Sequence, residues 1–277
     1  MRTLALALIF ALPALAAPAA EPPAGGSDVP FASYAFANEF GSGIYDIGGR
    51  TIQIYQLPLS FQLREPTPGN SPPGLTFLAP ITIGFFDYKA QDLLHLELPS
   101  SIATLSFEPG VQHEYRFGDA WRLYPYMKAG WTFGTNARVE AAIYSLGVRS
   151  DYLFQAWNGS GLWSEELLHA GVHFHSEVPD DTFTRLRNGA ELRRDLPWRI
   201  DGRPLQLAPF GVVDIYLKAP TGPASGISAQ TIQLAAGLDL GVDPMWEILG
   251  ITLPRIGIGY RAAGVLSGWY IVFGDPF

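Results

Sequence analysis

Residues 103–134 read ATLSFEPGVQHEYRF, then GDA, then WRLYPYMKAGWTFG. In the first run Ala103, Leu105, Phe107, Val111, Tyr115 and Phe117 fall on one face of an extended chain. Thr104, Ser106, Glu108, Gln112, Glu114 and Arg116 fall on the other, because successive side chains of a strand point to opposite faces. His113 is the polar exception on the apolar face. Gly118-Asp119 supplies a tight turn, and beyond it Trp121, Leu123, Met127, Ala129, Trp131 and Phe133 alternate with Arg122, Tyr124, Tyr126, Lys128 and Thr132. The stretch is a β-hairpin with one greasy and one polar face.

The same period recurs along the chain. Ile232, Leu234, Ala236, Leu238, Leu240 and Val242 oppose Thr231, Gln233, Gly237, Asp239 and Gly241; Leu205, Leu207, Val213, Ile215 and Leu217 oppose Gln206, Asp214 and Lys218. Leu186, Ala190 and Leu192 oppose Arg185, Arg187, Glu191 and Arg193. Aliphatic residues on one side and small or charged ones on the other, repeated in segments of about ten residues, are the signature of a membrane barrel, which inverts a soluble core. Turns between these segments give strands near 51–64, 75–88, 102–117, 121–134, 139–156, 162–177, 183–195, 204–218, 229–242, 253–263 and 266–273. Single-chain bacterial barrels close with an even number of strands, so a twelfth is assigned to Ser33–Ile47. Twelve strands are expected, with ten or fourteen as the alternatives. The fold class is all-β, a closed antiparallel transmembrane β-barrel with a polar lumen.

Pro58, Pro80, Pro109, Pro125 and Pro209 fall inside these windows, where each removes a ladder donor; bulges kinking the wall near one rim are expected to absorb them. Trp246, Ile248 and Leu249, after Pro244, are expected to form a short amphipathic helix on the membrane surface.

The remaining composition narrows the class. The 277 residues carry 30 Gly, 23 Pro, 16% charged residues and no Cys, with a mean hydropathy of +0.12. Absence of Cys excludes disulfide scaffolds and thiolate sites. A net charge of −8 without a basic stripe argues against a nucleic-acid partner. At the amino end, Arg2 and Thr3 precede an apolar run from Leu4 to Leu15, with Ala14, Ala16, Ala17 and Ala19 at and after its end. This is a secretory signal peptide, with cleavage placed after Ala16 or Ala19. The division is 1–19 signal peptide, 20–32 flexible periplasmic segment and 33–277 barrel. Export plus dyad strands are expected to place the protein in a Gram-negative outer membrane, as a monomer surrounded by outer-membrane lipids and lipopolysaccharide.

The carboxyl end, Gly268-Trp-Tyr-Ile-Val-Phe273-Gly-Asp-Pro-Phe277, carries apolar residues at alternate positions and a terminal Phe. Gly268, Ile271, Phe273 and Phe277 resemble the signal by which the outer-membrane assembly machinery recognises a last strand. Asp275-Pro276 breaks the alternation, so either Phe273 ends the strand or the register holds a bulge. With the in-strand prolines and the strand order in 105–134 and 186–242, the chain resembles the translocator barrels of autotransporters, above all the solitary ones without a passenger. Only a short Pro-rich segment up to Ala32 separates signal peptide from barrel. The resemblance implies a twelve-stranded barrel and no particular activity.

Two groups of residues are candidates for chemistry. His169, His173, His175 and Glu177 share one strand face and are expected to look into the lumen, where imidazoles about 7 Å apart could take part in a metal site. The polar lumen lining is otherwise of mixed sign: Glu108, Glu114 and Glu191 with Arg116, Arg185, Arg187 and Arg193. A selective pore prefers a ring of one sign, so mixed signs point to salt bridges across a narrow lumen. The expectation is a non-enzymatic barrel, structural or a narrow plugged channel, without cofactor, its lumen filled by charged side chains or by residues before strand one. The alternative is an outer-leaflet lipid-modifying enzyme using the His169–Glu177 strand.

Overall fold

A computed structural model describes residues 41–47, 50–86, 104–134, 140–156, 159–175, 180–219, 231–243, 245, 247–248, 251–252, 255–263, 266–274 and 276–277. The signal peptide, the 20–32 segment and residues 33–40 of the expected first strand lie outside them. The strands are β1 Gly43–Ile47, β2 Arg50–Leu57, β3 Ser60–Arg64, β4 Gly74–Leu78, β5 Ile81–Phe86, β6 Thr104–Phe107, β7 Gly110–Phe117 and β8 Trp121–Gly134. There follow β9 Glu140–Ala156, β10 Gly159–Phe174, β11 Asp181–Ile200, β12 Arg203–Lys218, β13 Ile232–Val242, β14 Glu247–Ile248, β15 Ile251–Thr252, β16 Ile256–Ala263 and β17 Leu266–Phe273.

All but β14 and β15 join one antiparallel sheet that closes on itself, β1 pairing with β17 from Gly43↔Tyr270 to Ile47↔Leu266. The pairs β2/β3, β4/β5 and β6/β7 are halves of single staves, so the wall has twelve. Closure satisfies backbone groups that an open edge would leave bare in lipid. Among the described residues β3 pairs with β4 alone.

The prolines interrupt the ladder without shifting it. Leu57↔Ile81 and Ser60↔Leu78 keep one register across Pro58 and Pro80, as do Ile81↔Phe107 and Leu78↔Gly110 across Pro80 and Pro109. No residue is inserted, so these are gaps, and the expected bulges are absent there. The gaps stand side by side halfway along three neighbouring staves rather than at a rim. Backbone bonds bridge the row, Ala79 N donating to Leu59 O at 2.8 Å and Ala129 N to Pro109 O at 3.0 Å. Pro125 and Pro209 behave alike: the β7–β8 pairing skips from Gln112↔Tyr126 to Tyr115↔Leu123, and β11–β12 from Glu191↔Phe210 to Arg194↔Leu207. A missing N–H costs one rung, and the rungs either side hold the register.

The faces follow the alternation. Met127, Trp131, Leu146, Leu238, Ile258 and Trp269 are exposed outside, while Gln53, Thr132, Glu191, Asp214, Gln233 and Asp239 are buried inside. Val242, expected outside, is buried at the end of β13. The 246–249 segment is no helix where it is described: Ile248 in β14 pairs with Ile251 in β15, a short hairpin that β-branched residues favour. Trp246 and Leu249 lie outside the described residues.

Candidate functional site

The barrel has two ends. One, here the terminal end, carries the start of β1 and the close of β17; the other, the loop end, carries the connection from β10 to β11. At the loop end an apolar cluster of Leu168, Val172 and Phe174 from β10, Phe183 from β11, Tyr216 from β12 and Ile143 from β9 is buried inside the wall. A second cluster joins Tyr45, Ile52 and Ile54 to Phe210, Val212, Tyr270 and Val272 across the interior.

Between these clusters the charged residues pair. The Tyr126 hydroxyl donates to Glu166 Oε1 at 2.7 Å, and Arg185 Nη2 donates to Glu166 Oε2 at 2.7 Å. Arg185 Nε lies 3.7 Å from Asp214 Oδ1, and Arg187 forks onto the same carboxylate at 2.6 and 3.0 Å. Nearer the terminal end, Arg193 donates to Glu191 at 2.5 Å, and Arg255 Nε donates to Asp239 at 2.5 Å while lying 3.8 Å from Glu191. Lys128 sits 3.1 Å from Glu108, which also accepts from Ser145 at 3.0 Å. Arg149 sits 3.4 Å from Asp151 and over the Tyr124 ring. Arg116 pairs with Glu114 at 2.6 Å and is largely exposed. The residues singled out from sequence, Glu108, Glu114, Arg185, Arg187, Glu191 and Arg193, are therefore interior. Glu166, Asp151 and Arg255 were not singled out.

Glu166 was missed because the inward face of β10 was assigned wrongly. Leu162, Ser164, Leu168, Ala170, Val172 and Phe174 point inward, and His169 and His173 are exposed outside with Trp163 and Leu167. Cross-strand register carries the correction: Glu166 stands opposite Arg187 on one side and Arg149 on the other. Once the β11 arginines point inward, the even residues of β10 must do so too. His175 follows β10 and is exposed. Glu177 lies outside the described residues. His173 Nδ1 is 2.5 Å from Asp180 Oδ2, and His169 Nδ1 is 3.0 Å from Thr184 Oγ1. Hydrogen bonds from His173 and from the Phe174 N–H hold the exposed Asp180 carboxyl below its ordinary range. Among the described residues no three candidate ligands gather into a metal site.

At the carboxyl end β17 stops at Phe273. Ile271 and Phe273 face outward; Gly268 is buried, where a Cβ would lie 2.3 Å from Ile44 O of the neighbouring β1. Gly274, at φ +88°, turns the chain, and Phe277 enters the lumen. Its ring packs on the Tyr45–Tyr270 cluster and covers Gly189, where a Cβ would lie 2.1 Å from a ring carbon. Phe277 is thus no part of the last strand. A cavity of about 440 Å³ remains beside it.

No family model matches the sequence, and no curated protein matches it. Among solved structures the chain is similar to the beta domain of the Bordetella autotransporter BrkA, at 13% identity and a TM-score of 0.49, over 83% of this chain and 93% of that one.

Proposed function

We propose that this protein is an integral outer-membrane barrel of a Gram-negative envelope, non-enzymatic, whose lumen is closed to general diffusion. The observation that carries the reading is the filled interior: buried ion pairs through the middle, the apolar cluster across the loop end of β9–β12, and Phe277 folded in from the other end. Twelve strands lie between eight-stranded barrels, which side chains fill, and sixteen-stranded porins, which hold water, so what projects inward decides openness.

Membrane residence is supported by the outer belt of exposed aliphatic residues and by an aromatic row near the terminal ends of β8, β9 and β10. There Trp121 stands opposite Tyr152, and Tyr152 opposite Trp163, as in the girdle of a membrane barrel at one interface. The termini then lie in the periplasm and the loop end faces outward. For the lipid-modifying alternative, His173 bonds an acid and His169 a hydroxyl. No described imidazole joins acid to hydroxyl in the manner of a catalytic triad.

Planar-bilayer recording tests the reading. Small, infrequent currents are expected, and large steady porin-like conductance would overturn it.

A further inference from the structure

We infer that the lumen contains a binding site for a single-chain amphiphilic anion, an alkyl phosphate or alkyl carboxylate, reached from the terminal end. The inference rests on the closed-barrel reading, because a site at the bottom of a blind cup needs the loop end sealed.

The cavity of about 440 Å³ falls within the roughly 300–1,000 Å³ usual for small-ligand sites. One wall is apolar: Leu59, Leu78 and Pro80 from the interrupted staves, with Val272 and Phe277. The other wall presents Lys128, Arg149, Arg185, Arg187 and Arg261, with Glu166 the one acidic side chain among the described lining residues; Arg149 Nη1 also donates to the main-chain oxygen of Phe277 at 3.5 Å. Both Glu166 oxygens already accept hydrogen bonds, from Tyr126 and Arg185.

The arrangement of the ion pairs sets the sign of the cavity. In three of the pairs beside it the cation is the more exposed partner and the acid lies behind: Lys128 13% against Glu108 4%, Arg149 24% against Asp151 8%, Arg187 11% against Asp214 2%; the Arg185–Glu166 pair runs the other way, 1% against 13%. A chain of net charge −8 therefore turns cationic donors towards this space. The buried Tyr270 hydroxyl, on the same lining, has no hydrogen-bond partner among the described residues. Low surrounding dielectric strengthens the attraction such a wall exerts on an anionic head, and the apolar wall accepts its chain.

Entry is from the terminal end. Ser60 lines the cavity from β3, a strand exposed on both faces, whereas Leu168, Val172, Phe174 and Phe183 block the loop end.

The test uses the folded barrel in nanodiscs, titrated calorimetrically with octyl phosphate, octanoate, octanol and inorganic phosphate, with empty discs as blank. Octyl phosphate and octanoate should bind one site, with octanol and inorganic phosphate at least tenfold weaker. Octyl phosphate alone among the two anions would assign the head as phosphate, octanoate alone as carboxylate. Ser60→Trp, which fills the mouth without touching an ion pair, should weaken binding at least tenfold while heat-modifiable gel mobility stays native. Equal binding of octanol and octyl phosphate, binding unchanged by Ser60→Trp, or no binding by either anion would overturn the site. Conductance of the same preparation is recorded in parallel: a silent barrel that binds nothing removes the site alone, and a freely conducting one removes the closed-barrel reading.

Discussion

Replacing Asp214 by Asn should be among the most damaging single changes in the lumen. Asp214 is buried, accepts the forked Arg187 bonds at 2.6 and 3.0 Å and lies 3.7 Å from Arg185, which also donates to Glu166 at 2.7 Å. Glu166, Arg185, Asp214 and Arg187 together are neutral, and Asp214→Asn leaves one buried positive charge uncompensated. Breaking a buried pair from one side costs about 3–5 kcal/mol. That is roughly a hundredfold to several-thousandfold in the folding equilibrium, at about 1.4 kcal/mol per factor of ten. The pair itself contributes far less, because its attraction is offset by the desolvation of both ions. The double variant Arg187→Met with Asp214→Leu should therefore recover most of the loss. Urea titration of the barrel refolding into vesicles, read by gel mobility, gives both free energies. A loss below about 1 kcal/mol for Asp214→Asn, well under the range for a broken buried pair, would refute the reasoning. So would a double variant as unstable as the single.

Leu238 is exposed at the centre of β13, so Leu238→Arg should cost about 2–4 kcal/mol in the same titration, as a charge in lipid near the midplane does. Changing Arg185 and Arg187 together to Ser should raise bilayer conductance, because it removes two long side chains from the lumen; unchanged currents would place the barrier elsewhere. Phe273→Ser should reduce the yield of heat-modifiable barrel in the outer membrane, because Phe273 ends the last strand on its outer face, while Phe277→Ser should leave the yield near native. Asp180 should titrate below an ordinary aspartate by carbon NMR and return towards it in His173→Ala. Because its folded value is the lower one, the contribution of this contact to stability is full above the ordinary aspartate range and is lost as pH falls through the lowered value.

Fold class and eleven of the strands were legible in the sequence because period-two alternation is local: a strand such as Ile232–Val242 sorts its own side chains before it meets a partner, and the even number of a closed barrel supplied the twelfth. The passenger-less barrel resemblance implied twelve staves, and the wall has twelve. The interior location of Arg185, Arg187 and Glu191 was legible for the same reason. Tertiary structure decided what depends on register. In β10 both faces mix polar and apolar residues, since the lumen has an apolar seal at that level, so alternation alone placed His169 and His173 on the wrong side and hid Glu166. Pairing with β9 and β11 settles it. Alternation places Gly237 on the inward face and says nothing of the space there, whereas a Cβ would lie 2.3 Å from Ile258 O and 2.4 Å from the Phe210 ring. Sequence left open whether the last strand ends at Phe273 or runs on through a bulge to Phe277; it ends at Phe273, and Phe277 is a lumenal side chain, because the turn at Gly274 and the space over Gly189 exist only once β11 and β17 enclose the same interior.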